Sequence, residues 1–139
     1  MASLEDLDIA VSVARDWIED LAHQLAWHDR NLVYLAFITV LHSLRDQLPR
    51  TEVIALGAQL PPLVRGLYYE GWHASARLRA RTRAAFLERV HEGLHRDPGI
   101  DVEEVARAVL ATLSARLPSA EVEEIRAAVP KHLHGFWPS

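Results

Sequence analysis

The stretch His91-Glu92-Gly93-Leu94-His95 has residue types and spacing that fit a defined chemistry. Two histidines four apart share one face of a helix. Both imidazoles then reach one zinc ion, while the glutamate between them polarises a metal-bound water, the H-E-x-x-H arrangement of zinc hydrolases. The neighbouring residues argue against that use. Gly93 weakens a helix, Leu94 falls in a core register, and Asp97-Pro98-Gly99 turns the chain before a third ligand appears. With 8 histidines in 139 residues, a chance match to so short a motif is merely uncommon. His91, Glu92 and His95 are the metal-ligand candidates; the reading assigns no metal, no catalytic residue and no cofactor.

Other groups carry weaker chemistry. His132 and His134 are two apart, so on a helix they diverge and suit carbonyls at a helix end better than a shared metal. Tyr68, Tyr69 and Trp72 form an aromatic cluster whose counterparts, Phe136 and Trp137, point to packing rather than a ligand pocket. Arg77, Arg79, Arg81 and Arg83 alternate along a polar segment that reads as a solvated linker offsetting the acidic first helix. No glycine-rich phosphate loop, G-x-S-x-G elbow or paired cysteine motif occurs.

Helical periodicity organises the chain. Leu4, Leu7, Val11, Ala14, Trp17, Ile18, Leu21 and Leu25 recur at helical spacing behind a Ser3/Asp6 capping pair. Asp29 caps a second helix with Val33, Phe37, Val40, Leu41 and Leu44 on its core side, ended by Pro49. A third helix starts near Thr51 and stops before Pro61. Pro61-Pro62 breaks the chain and opens a short fourth helix through Tyr69, closed by Gly71. After the linker, Phe86, Leu87, Val90 and Leu94 mark a further helix. Asp101 caps the next one, striped by Val102, Val105, Val109, Leu110, Leu113 and Leu117. No segment alternates as a strand does, so the fold class is all-α.

The pattern repeats. Pro49, Pro61, Glu52-Val53, Ala58 and Gly66 match Pro118, Pro130, Glu121-Val122, Ala127 and Gly135 at one constant offset of roughly 69 residues. The expected architecture is two tandem copies of a roughly four-helix unit, residues 4–72 and 83–139, joined by a linker at 73–82 and packed as one helical domain, because one copy alone buries too little apolar surface. Gly66 and Gly135 suggest close helix approach. With Pro49, Pro61, Trp72, Pro118 and Pro130 they are the expected structural positions.

Composition narrows the function classes. A 50% hydrophobic chain of 139 residues builds a real core. The absence of cysteine fits a reducing cytoplasm. An acidic start and the lack of a long apolar run argue against secretion or a membrane span. A net charge of −4 argues against nucleic-acid binding.

The combination LHSLRDQLP, AQLPPLVRGLYYEGW, a basic linker with AAFLERV, VARAVLATLSARLP and a closing VP-x-x-L-x-G-F-W resembles the bacterial family called domain of unknown function 2267, from about Trp17 to Trp137. The A-Q-L-P-x-x-x-R-G-x-Y-Y-x-G-W string is specific, since helical patterning alone does not require that order of prolines, glycines and aromatics. The resemblance implies a small helical protein and carries no activity or catalytic residue with it.

The two copies differ where it bears on function. Tyr34, Leu35, Ile38, Ile54, Ala55 and Leu63 become Glu103, Glu104, Arg107, Glu123, Glu124 and His132. The first copy therefore has a second apolar face, centred on Tyr34, Leu35 and Ile38 and including Ile54 and Leu63, that something must cover. Packing by the other copy is favoured over a second subunit because the connection from Trp72 to Arg81 is short. The leading reading is a non-enzymatic interaction module, with a protein partner or a homodimer. The alternative is a metal-dependent or small-ligand-binding helical protein.

Overall fold

In a computed structural model, residues 2–74 and 80–138 are described, and every regular element among them is helical. Seven α-helices run Leu4–Leu25 (α1), Arg30–Arg45 (α2), Arg50–Gln59 (α3), Pro62–Tyr69 (α4), Arg83–Gly93 (α5), Val102–Arg116 (α6) and Ser119–Ala128 (α7), followed by a short 3-10 helix, Lys131–Phe136. Arg77 and Arg79 of the expected linker lie outside the described residues.

The helix starts follow the local chemistry. Ser3 N–H donates to Asp6 Oδ2 at 2.9 Å. Asp29 Oδ1 accepts from the amides of Asn31 and Leu32, and Asp101 Oδ1 from those of Glu103 and Glu104, so each aspartate satisfies two of the donors a helix start leaves unpaired. Pro49, Pro61, Pro118 and Pro130 immediately precede α3, α4, α7 and the 3-10 helix. Proline suits these places because a residue there needs extended backbone and no intrahelical donor. Asp97 Oδ1 accepts from Gly99 N–H at 2.8 Å, closing the expected turn.

α1 and α5 each pack on both α2 and α6, forming a four-helix centre. α4 lies against α1 and α2 and carries α3 on its other side, while α7 and the 3-10 helix lie beside α6, and α3 meets α7. One continuous cluster fills the middle, including Trp17, Leu21, Phe37, Leu41, Val90, Val105, Val109 and Leu113. α2 and α6 carry the longest buried stripes, since each is flanked on several sides. α1 is about 33 Å long at 1.5 Å per residue, and its first turns run past the core. Leu4 is 81% exposed and Leu7 and Ile9 are 60% exposed.

Among the described residues no helix is long and apolar enough to cross a membrane.

Candidate functional site

The H-E-x-x-H geometry does not form. α5 ends at Gly93, and His95 and Arg96 take left-handed backbone conformations, φ 60° and 52°, so His95 has left the helical face that His91 occupies. His91 Nε2 lies 3.0 Å from the Asp97 carbonyl, and Glu92 pairs with Arg96 at 2.7 Å. Gly93 is there for packing: a Cβ at this position would collide with the side chain of Thr39 on α2. Leu94 is fully buried. The motif is the end of a core helix. His134 Nε2 reaches the Val129 carbonyl at 3.1 Å, the helix-end role expected of it.

The apolar face expected on the first copy divides. Leu35 is half-buried; it stands one turn before Thr39, the residue that meets Gly93, and that side of α2 looks toward α5. Ile38, also half-buried, stands one turn before His42, whose Nε2–H donates to the Leu67 carbonyl at 2.7 Å, and that side looks toward α4. Both pack against the core cluster. Tyr34, at 43% exposed, and Leu63, at 40%, remain open. Ile54, 49% exposed on α3, stands apart from them. Packing within the chain thus reaches Leu35 and Ile38 and stops short of Tyr34, so the other copy does not cover the whole face.

Tyr34 and Leu63 instead share a groove of about 470 Å³ between α1, α2 and α4. Val11, Ala14 and Ile18 form the α1 wall, Phe37 the floor, and Leu67 with Gly66 the α4 wall. Its one charged lining residue is Arg15. Gly66 corrects the close-approach reading, because a Cβ built there meets no atom within 4 Å. The same holds at Gly135.

The A-Q-L-P-P-L-V-R-G-L-Y-Y segment forms the corner that holds α4 in place. Arg65 Nε donates to the Gly57 carbonyl at 2.8 Å and its Nη2 to the Leu60 carbonyl at 2.9 Å, capping the open end of α3. Tyr68 is buried, its hydroxyl donating to the Val53 carbonyl at 2.8 Å, and burial pushes its phenol well up from the ordinary value. Tyr69 lies against Tyr68 and Trp72, with ring centroids 5.0 and 5.6 Å away, which gives the aromatic cluster its packing role. Arg45, 4% exposed, donates to the Tyr68 and Glu70 carbonyls and pairs with Asp46, which also binds Arg89 of α5. Sequence reasoning missed Arg45 because its spacing on α2 is that of a core residue. Its signal was a charged residue inside an apolar stripe. Burial holds the His42 imidazole below its ordinary pKa.

The place matching the groove in the second half is filled. Glu103 and Arg107 stand where Tyr34 and Ile38 stand in the first half, and Phe136 where Leu67 stands. The Arg83 and Arg107 guanidinium carbons lie 4.6 and 5.6 Å from the centre of the Phe136 ring. Glu103 bridges the two arginines at 2.5 and 2.9 Å, so they hold its carboxyl below the usual range. Arg107 also donates to the Gly135 carbonyl at 2.6 Å.

No curated protein matches the chain. The sequence pattern of a family described as an uncharacterized conserved protein, DUF2267, matches residues 14–136, taking in nearly every helix just described, and the chain belongs to that family.

Proposed function

We propose that this protein is a helical interaction module, built of two copies of one unit, that associates with a second copy of itself through α1 and the groove beside it. The open apolar groove, at a place the second half fills with a bridged Arg83–Glu103–Arg107 lid, is the observation that carries this reading. The exposed stripe of Leu4, Leu7 and Val11 runs directly into it. An antiparallel pairing of two α1 helices about Val11 lays Leu4 and Leu7 of one copy over Ala14, Arg15 and Ile18 of the other. The same register sets Asp8 near Arg15, matching opposite charges, and the contact is self-complementary as a two-fold interface requires. Tyr34 and Leu63 then serve as the rim.

Light scattering during size-exclusion chromatography tests this at about 100 μM, a concentration suited to a micromolar dimer. The expected result is a dimer that Leu7→Glu with Val11→Glu converts to a folded monomer. A monomeric parent protein would overturn self-association. The groove volume also favours a second reading, an apolar small ligand, since ligand sites commonly measure about 300–1,000 Å³. A dye that reports apolar binding sites and is displaced by Leu63→Glu but not by dilution distinguishes it.

A further inference from the structure

We propose that Glu52, Glu121 and Glu124 form a binding site for one hard divalent cation, held between α3 and α7. One carboxylate oxygen from each of the three lies within 4.8 Å of the others. The residues reach this point by parallel routes: Glu52 is the third residue of α3 and Glu121 the third of α7, and each helix follows a proline. At this position a glutamate ordinarily turns back to accept from the amide of the capping residue. Pro49 and Pro118 have no amide hydrogen, so that partner does not exist, and both carboxylates point instead into the α3–α7 contact.

Acidic clusters are common on protein surfaces, and burial is what separates this one from them. Glu121 is 8% exposed, and its Oε1 is buried with no hydrogen-bond partner. Glu52 Oε2 is likewise buried and unpaired. Buried, unpaired oxygens on two carboxylates that approach each other from different helices are costly unless something positive lies between them. Among the described residues no arginine, lysine or histidine forms an ion pair with any of the three. The positive ends of α3 and α7 offset part of the repulsion but make no bond to these two oxygens. Burial, then Glu124, then Glu52 push the Glu121 carboxyl up from its ordinary value, the electrostatic counterpart of the same crowding.

The donor set selects the ion. Three carboxylates, with no imidazole or thiolate, suit magnesium, calcium or manganese rather than zinc or copper. Glu124 is exposed, so the ion enters from its side and keeps waters on its outer face. Bound there, it ties α3 to α7, a contact between outer helices of the two halves. This site is separate from the groove, and the inference does not rest on self-association.

The test compares chelator-treated protein in about 5 mM magnesium, calcium or manganese chloride with the same protein in sodium chloride of equal ionic strength, which removes general screening. Direct manganese binding is followed by the electron-spin resonance of the free ion. The expected result is saturable binding of about one manganese per chain and a thermal midpoint raised by roughly 3–6 °C. Glu121→Gln abolishes both, and Glu124→Gln weakens manganese binding at least about tenfold, as loss of one of three charged ligands should. Should Glu121→Gln fail to fold, the exposed Glu124→Gln still decides. No saturable binding, or an equal response in the variants, overturns the proposal. Stability that ignores cations but rises as pH falls from 7 to 5 overturns it too, since the carboxyls would then be sharing a proton.

Discussion

Around Leu67 the space between α1, α2 and α4 is an open apolar groove, whereas around Phe136 the matching space between α5, α6 and the 3-10 helix is filled. The chain reaches these outcomes with few changes. Where the first half has Ala14, Tyr34 and Ile38, the second has Arg83, Glu103 and Arg107, and the long guanidinium side chains lie across the ring they find there. Arginine does this well because its planar, weakly hydrated head stacks on an aromatic face while still pairing with a carboxylate. The second half thus closes its own surface, and the first leaves its groove open. Helix starts use the same chemistry in both halves, a proline at Pro49 and Pro118 and a capping aspartate at Asp29 and Asp101, so the difference lies in the side chains that line the space.

The largest effect should come from emptying the filled side. Phe136 is 2% exposed, so Phe136→Ala removes a buried ring and strands two guanidiniums, costing about 3–5 kcal/mol. Leu67→Ala, at the half-buried counterpart, should cost only about 1–2 kcal/mol. Urea unfolding of both variants measures the gap. Equal losses would mean that the two places are packed alike and that the comparison fails.

A smaller effect on stability, but a decisive one on association, should follow from giving the first half the second half's surface. Tyr34→Glu combined with Ile38→Arg recreates an acid and base four residues apart on α2, the spacing that Glu103 and Arg107 use on α6. Because Ile38 is half-buried, the thermal midpoint should fall by no more than a few degrees. The proposed dimer should be lost. Retention of the dimer by this folded variant would place the contact elsewhere.

The sequence made the helices and their starts legible, because caps, prolines and apolar spacing act locally. α4 runs Pro62–Tyr69 as the Pro61-Pro62 break and the aromatic pair required, and Asp29 and Asp101 cap the helices assigned to them. What spacing could not supply was the meeting of helices. Gly66 looked like a point of close approach because it recurs, yet it faces open space; Gly93, dismissed as a helix weakener, is where α5 comes against α2. Spacing does not show how the apolar face divides, since only three-dimensional packing separates Leu35 and Ile38 from Tyr34. Glu52 and Glu121 show in the sequence only as matched positions of the two halves. The missing amide of the preceding proline was in the sequence, but their convergence depends on the α3–α7 contact.

The smallest effect is one of pH, and it also separates the halves. His42 has no counterpart in the second half, where Ala111 takes its place. Burial, and secondarily the nearby Arg45 charge, hold the imidazole neutral, outweighing the Leu67 carbonyl, Asp46 and Glu70, which favour the charged form. A group whose folded pKa is depressed contributes stability above its unfolded value, and that contribution is lost as pH falls below it. Lowering the pH from 7.5 to 5.5 should therefore weaken the protein through His42. Glu121 works the other way: its folded pKa is raised, so the folded state binds the proton first and gains stability as pH falls toward the ordinary carboxylate range. Because His42 is partly exposed, solvent screens the interaction, and each shift in the thermal midpoint should be no more than a few degrees. His42→Gln keeps an N–H for the Leu67 carbonyl while removing the titration, so it should be less sensitive to acid than the parent. Glu121→Gln, measured without divalent cations, should be more sensitive. Parallel pH profiles for the parent and both variants would show that neither group feels its surroundings in this way.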